Sequence, residues 1–114
     1  MAEIQQELLD RIDQLLESGD KPNLAELIKE QRSSDIAEVV ELLDNEDRRQ
    51  VFDLIDKKIA AEVLEKVDEA TRQELFELLE EKEVVAMIAT LHPDDAADVI
   101  SEMPEEESRD ILGS

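Results

Sequence analysis

The sequence predicts an all-α fold of short stacked helices, and three observations predict it. Apolar residues recur at helical spacing along the chain. One block of pattern returns 24 residues further on. Turn residues are scarce: 114 residues include only 2 Gly and 3 Pro, too few for the regularly spaced turns of a β-sandwich or barrel. The usage leans on Leu, Ile, Val, Ala, Glu and Lys, which is helical composition.

The first helix carries Ile4, Leu8, Ile12, Leu15 and Leu16 on one stripe. Gly19 suits the left-handed position that closes a helix, and Pro22 prevents continuation. Asn23 offers an N-cap for a short second helix containing Leu24, Leu27 and Ile28. Beyond Ser33 the chain repeats. Ala37-Glu38-Val39-Val40-Glu41 returns as Ala61-Glu62-Val63-Leu64-Glu65, Asp44 as Asp68, Arg48 as Arg72, and Val51-Phe52 as Leu75-Phe76. Each copy reads as a short helix, a break and a second short helix. Asp44 and Asp68 stand as N-caps of the second helices. Phe52 and Phe76, the only aromatic residues, read as packing residues, each with an apolar neighbour three positions on (Ile55 and Leu79).

Val84, Val85, Met87, Ile88 and Leu91 fill a further helix. Glu80-Glu81-Lys82-Glu83 before it reads as a solvated connection. A looser third copy is expected from Ala97-Asp98-Val99-Ile100 to Ile111-Leu112, with Pro104 at its break. Glu105-Glu106-Glu107 then suits a helix's first turn, where acids favour the dipole. Met87 and Met103 read as packing residues. The uncapped Ile111-Leu112 and the terminal Gly113-Ser114 suggest a chain cut from a longer protein. A fixed period of this kind signals helical hairpins stacked on their neighbours, roughly eight or nine short helices in a compact superhelix. Residues 1–114 are expected to form one such domain.

Charge narrows the function. Thirty-three acids against 12 Lys plus Arg give a formal net charge of -21 at pH 7. Phosphate backbones and anionic lipids would be repelled, so nucleic acid and membrane surfaces are poor partners. Cations and basic protein faces are better ones. The apolar fraction of 41%, arranged periodically, argues for a folded chain and against acidic disorder. No apolar run is long enough to span a bilayer, and no secretory signal opens the chain. Cys is absent, which excludes thiolate ligands and thiol nucleophiles.

The run His92-Pro93-Asp94-Asp95-Ala96-Ala97-Asp98-Val99-Ile100 carries the sharpest chemistry. Pro93 suits the first turn of a helix, and His92 an N-cap or turn. Asp94 and Asp98 then lie one turn apart on the same face and repel each other. A hard divalent cation held by carboxylate oxygens would relieve that repulsion. Two solvated acids on an acidic surface would read the same way.

Ile59-Ala60-Ala61-Glu62-Val63-Leu64, the Leu91-to-Ile100 run and the opening Ser34-Asp35-Ile36-Ala37 … Leu42-Leu43 … Arg48 pattern together resemble the intracellular N-terminal domain of the MgtE family of magnesium transporters, from about Leu24 onward. The resemblance implies a right-handed superhelix on the cytoplasmic side of the cell membrane. It implies that a pair of CBS modules, a connecting helix and a homodimeric transmembrane pore follow in the full-length protein, none of them present in this chain. In that family Mg2+ binds between the acidic N domain and the CBS modules and favours the closed pore. By motif, the magnesium-contacting acids fall on Glu62, Asp94 and Asp98.

Two other classes compete with this reading. An acidic helical repeat can serve as a protein-interaction scaffold on its concave face, as the related-looking flagellar motor-switch repeats suggest. An enzyme is not expected. His92 has no Ser, Cys or second His placed to work with it, and no phosphate loop accompanies the paired acids.

Overall fold

The computed structural model describes residues 2–103, with side chains from residue 6 onward. They form α1 (Ala2–Ser18), α2 (Lys21–Lys29), α3 (Ser33–Leu42), α4 (Asn45–Leu54), α5 (Lys57–Lys66), α6 (Glu69–Leu78), α7 (Glu81–Ile88) and α8 (Pro93–Glu102). No strand occurs among the described residues. Pro104, the Glu105–Glu107 run and Ile111-Leu112 lie outside them.

A beat shorter than the 24-residue repeat organises the chain. The N-cap residues are Asp20, Arg32, Asp44, Asp56, Asp68, Glu80 and His92, each 12 positions after the last. α3 to α6 are ten-residue helices, each followed by one extended C-cap residue and one extended N-cap residue. The C-caps Leu43, Val67 and Leu79 are buried. An apolar anchor followed by a capping acid turns the chain, so no left-handed residue is needed. Among the described residues the one positive φ belongs to Gly19, at 69°.

Side-chain caps complete the helix starts. Asp44 Oδ1 accepts from the Asp47 N–H at 2.9 Å, Asp56 from Ile59 at 2.8 Å and Asp68 from Thr71 at 2.7 Å. The Asp44 and Asp68 caps are as the sequence predicts. Asn23 is not the cap of α2. Asp20 is, accepting from the Asn23 N–H at 3.3 Å, while Asn23 Nδ2 donates to its other oxygen at 2.6 Å. Pro22 therefore lies inside the first turn of α2, where a missing N–H costs nothing.

Alternate helices stack. α1, α3, α5 and α7 pack in succession, as do α2, α4 and α6, and α5 also meets α6 and α8. Ile36, Ala37, Val39 and Val40 of α3 and Ala60, Ala61, Val63 and Leu64 of α5 fill the join. Phe52 and Phe76 are buried at matching places in α4 and α6, and Met87 and Met103 are buried too.

The third copy stands elsewhere than the sequence predicts. It is α7 with α8, at the same 24-residue offset as the copies before it. Ala97 lies inside α8, the second helix of that copy. Its likeness to Ala61 arises because helices spaced by any multiple of the 12-residue beat present similar stripes. Glu80–Glu83 is not a solvated connection either. It is the N-cap and first turn of α7, with the Glu80 N–H donating to Glu83 Oε2 at 2.8 Å. Glu83 also takes Arg49 of α4 in a two-pronged pair, at 2.8 and 3.0 Å. The guanidinium, together with the Glu80 N–H, holds the Glu83 carboxyl below its usual range, and Glu83 with Asp53 holds Arg49 above its own.

The arginines at equivalent positions of α4 and α6 bind the preceding helix by its tail. Arg48 Nε donates to the Val40 carbonyl at 2.8 Å and Nη2 to Glu41 at 3.3 Å. Arg72 Nε donates to Leu64 at 2.8 Å, and its Nη2 to Glu65 at 2.6 Å and Val67 at 2.7 Å. Guanidinium at a helix C-terminus meets orphan carbonyls and the negative end of the dipole together. Charge-assisted bonds of this kind contribute about 1.5–3 kcal/mol each, which offsets the burial of Arg48.

Phe76→Ala removes a ring that is 2% exposed and should cost about 3–5 kcal/mol. Urea unfolding measures it, and a melt that overlays the parent would place the ring outside the core. Asp13 of α1 titrates above the usual carboxylate range, first through burial and then through Glu17, Asp10 and Asp44. Its ionised form therefore opposes folding, a penalty present above its raised folded value and relieved as the pH falls towards its ordinary one. Asp13→Asn should stabilise the protein at pH 7 by about 0.5 kcal/mol, and thermal melts at about pH 3 should show the gain gone.

Candidate metal-sensing surface

Glu62, Asp94 and Asp98 lie on helices that touch. Glu62 sits in the middle of α5, half-buried within a run whose other members Ala60, Ala61, Val63 and Leu64 are buried. Asp94 and Asp98 belong to α8, which packs against α5. Both are exposed. His92 is the N-cap of α8, its side chain making no cap bond, and Pro93 starts the helix. Val99, 1% exposed, turns the opposite side of α8 to the core.

These three acids have no protein partner, a state they share with Glu26, Glu30, Glu38 and Glu69 among the described residues. Other carboxylates hold helix starts (Asp20, Asp44, Asp56, Asp68) or arginines (Asp53, Glu74, Glu83, Glu102). Among the described residues, the carboxylates of Glu62, Asp94 and Asp98 make no hydrogen bond or ion pair. Their six oxygens suit a hydrated hard cation, which takes one or two carboxylates and keeps several waters. They do not form a closed cage. No group of three or more His, Cys, Asp or Glu among the described residues converges as a metal site. The remaining donors would have to be water or a second surface.

α8 is fastened at its far end. Glu102 pairs with Arg72 of α6, and Gln73 Nε2 donates to the Glu102 carbonyl at 2.6 Å. One guanidinium thus holds the tail of α5, which carries Glu62, and the last residue of α8. Sequence reasoning missed this tie. The 24-residue match of Arg48 and Arg72 marked the position, but nothing in the pattern names a partner 30 residues away. A second feature lies elsewhere. An open groove of about 470 Å³ runs between the ends of α2 and α4 and the start of α5, lined by Ile28, Leu54, Ile55 and Ile59, with Lys29 and Asp56 among its polar residues. None of the three acids lines it.

An acidic, all-helical repeat domain with unpartnered carboxylates on adjoining helices defines the class. Residues 31–114 match the MgtE intracellular N domain, and the chain belongs to that family. The fold is similar to a crystal structure of the soluble part of a magnesium transporter, with a TM-score of 0.83 at 15% identity. The likeness covers 96% of this chain and 43% of the other, so the chain spans less than half of that structure. No curated protein sequence matches the chain. No described helix is long and apolar enough to cross a membrane.

Because Asp94 and Asp98 repel each other and pair with nothing, Asp94→Ala with Asp98→Ala should leave the helical circular dichroism unchanged. The melting temperature should hold or rise slightly. A loss of helical signal would show that these acids support the fold.

Proposed function

We propose that this domain is the regulatory N domain of a magnesium transporter, on the cytoplasmic side of the cell membrane. Glu62, Asp94 and Asp98 offer half of an Mg2+ site whose other half lies on CBS modules of the same full-length protein. Ion binding draws the two halves together and favours pore closure in a homodimeric transporter. The observation that carries this reading is the pair Asp94 and Asp98, one turn apart, exposed and unpartnered, on a helix that packs against the one carrying Glu62. Membership of the family supports it.

The energetics suit a sensor. Each shared ion biases the closed arrangement by RT ln(1 + [L]/Kd), about 1.4 kcal/mol when free ion is ten times Kd. A few such ions make a switch of several kcal/mol. The net charge of -21 adds a long-range preference for cations and for basic surfaces. It gives no reason to expect nucleic acid as a partner or insertion into the membrane by this domain. Catalysis forms no part of the proposal, and His92 serves as a helix start.

The isolated domain should bind Mg2+ weakly, with calcium raising its melting temperature about as well as magnesium does. Joined to its downstream modules it should bind Mg2+ more tightly, and the double variant Asp94→Ala/Asp98→Ala should lose that gain. In the full-length transporter the same variant should stay open at Mg2+ levels that close the parent. Tight, magnesium-selective binding by the isolated domain in calorimetry would contradict a shared site. Gating unchanged by the double variant would leave the acids as solvated surface. A domain that instead captures a basic helix through the Ile55–Ile59 groove, without Mg2+ coupling, would be a scaffold.

A further inference from the structure

The repeat makes a specific statement about Asp98. Arg48 is the fourth residue of α4, and its Nη1 lies 3.6 Å from Glu74, the sixth residue of α6. One repeat on, Arg72 is the fourth residue of α6 and Asp98 the sixth of α8. The register therefore sets Asp98 where an arginine's carboxylate stands in the previous copy. Arg72 is nevertheless paired with Glu102, one helical turn beyond, and Asp98 has no cation beside it. Glu102 is also the less exposed acid, at 28% for its side chain against 54% for Glu74.

Resting on the magnesium reading above, we infer that Glu102 is a positioning residue for the metal surface. By engaging Arg72 it withholds the guanidinium from Asp98 and leaves that carboxylate to a divalent ion. An arginine on Asp98 would compete with the ion for the same oxygens and add a positive charge beside it. The Gln73 bond to the Glu102 main chain keeps the end of α8 in place whatever the side chain, so Glu102→Gln changes the pairing and not the docking of the helix.

The test uses this 114-residue chain and Mn2+ as a paramagnetic substitute for Mg2+. Mn2+ should broaden the amide signals of Asp94 and Asp98 in the parent. In Glu102→Gln the midpoint of that broadening should rise about fivefold or more. Glu69→Gln, which removes one exposed charge from α6, should leave it within about twofold, separating pairing from net charge. A crystal structure of Glu102→Gln should place an Arg72 Nη within salt-bridge distance of Asp98. An Arg72 that stays off Asp98 in that structure overturns the inference, and so does an unchanged Mn2+ midpoint. No broadening at Asp94 and Asp98 in the parent overturns the magnesium reading itself.

Discussion

The fold depends on ending a helix every 12 residues without glycine. A terminated helix leaves its last carbonyls and first N–H groups without partners, and a chain that stops so often creates many of both. The N-terminal problem is met locally, by aspartates that accept from the N–H three residues on. The C-terminal problem is met from a distance, by Arg48 and Arg72 reaching back from the following helix. The second solution shapes the fold. A guanidinium that caps the preceding helix also fixes the angle at which its own helix leaves. Two extended residues between helices allow little else.

This economy explains how so acidic a chain folds. Many carboxylates are committed to N–H groups or arginines, where negative charge stabilises. The uncommitted ones carry the cost. Asp13 and Asp47 both titrate above the ordinary range, through burial first and neighbouring acids second. Glu62, Asp94 and Asp98 stand on the adjoining helices α5 and α8, exposed or half-exposed and without a counter-charge. In the proposed function a cation from solution supplies on this surface what the arginines supply elsewhere.

Local chemistry was legible in the sequence, and long-range pairing was not. Helices from α1 to α7 follow from apolar spacing. The caps Asp44 and Asp68 and the burial of both Phe residues follow from the 24-residue match, and the turn at Gly19 from glycine's tolerance of a left-handed backbone. Asp20 was obscured by Pro22, because a proline reads equally well as a stop or as a first-turn residue. Glu80–Glu83 reads as loop from composition alone, since the Arg49 that holds it is 34 positions away. The third copy was misplaced because helices 12 residues out of step share one apolar stripe. For the candidate site, the sequence pointed to the acids themselves. Their lack of partners, the contact of α5 with α8 and the Arg72–Glu102 tie emerge only when the helices are stacked.

One partly buried arginine, Arg72, joins the tail of α5 to the end of α8. Amide hydrogen exchange of Arg72→Met tests it most directly. Methionine keeps the apolar stem and removes every donor. Exchange should quicken only in the last turn of α5 and in α8, with α1 to α3 unaffected. Unchanged exchange throughout, or loss of protection spread evenly over all the helices, would contradict it.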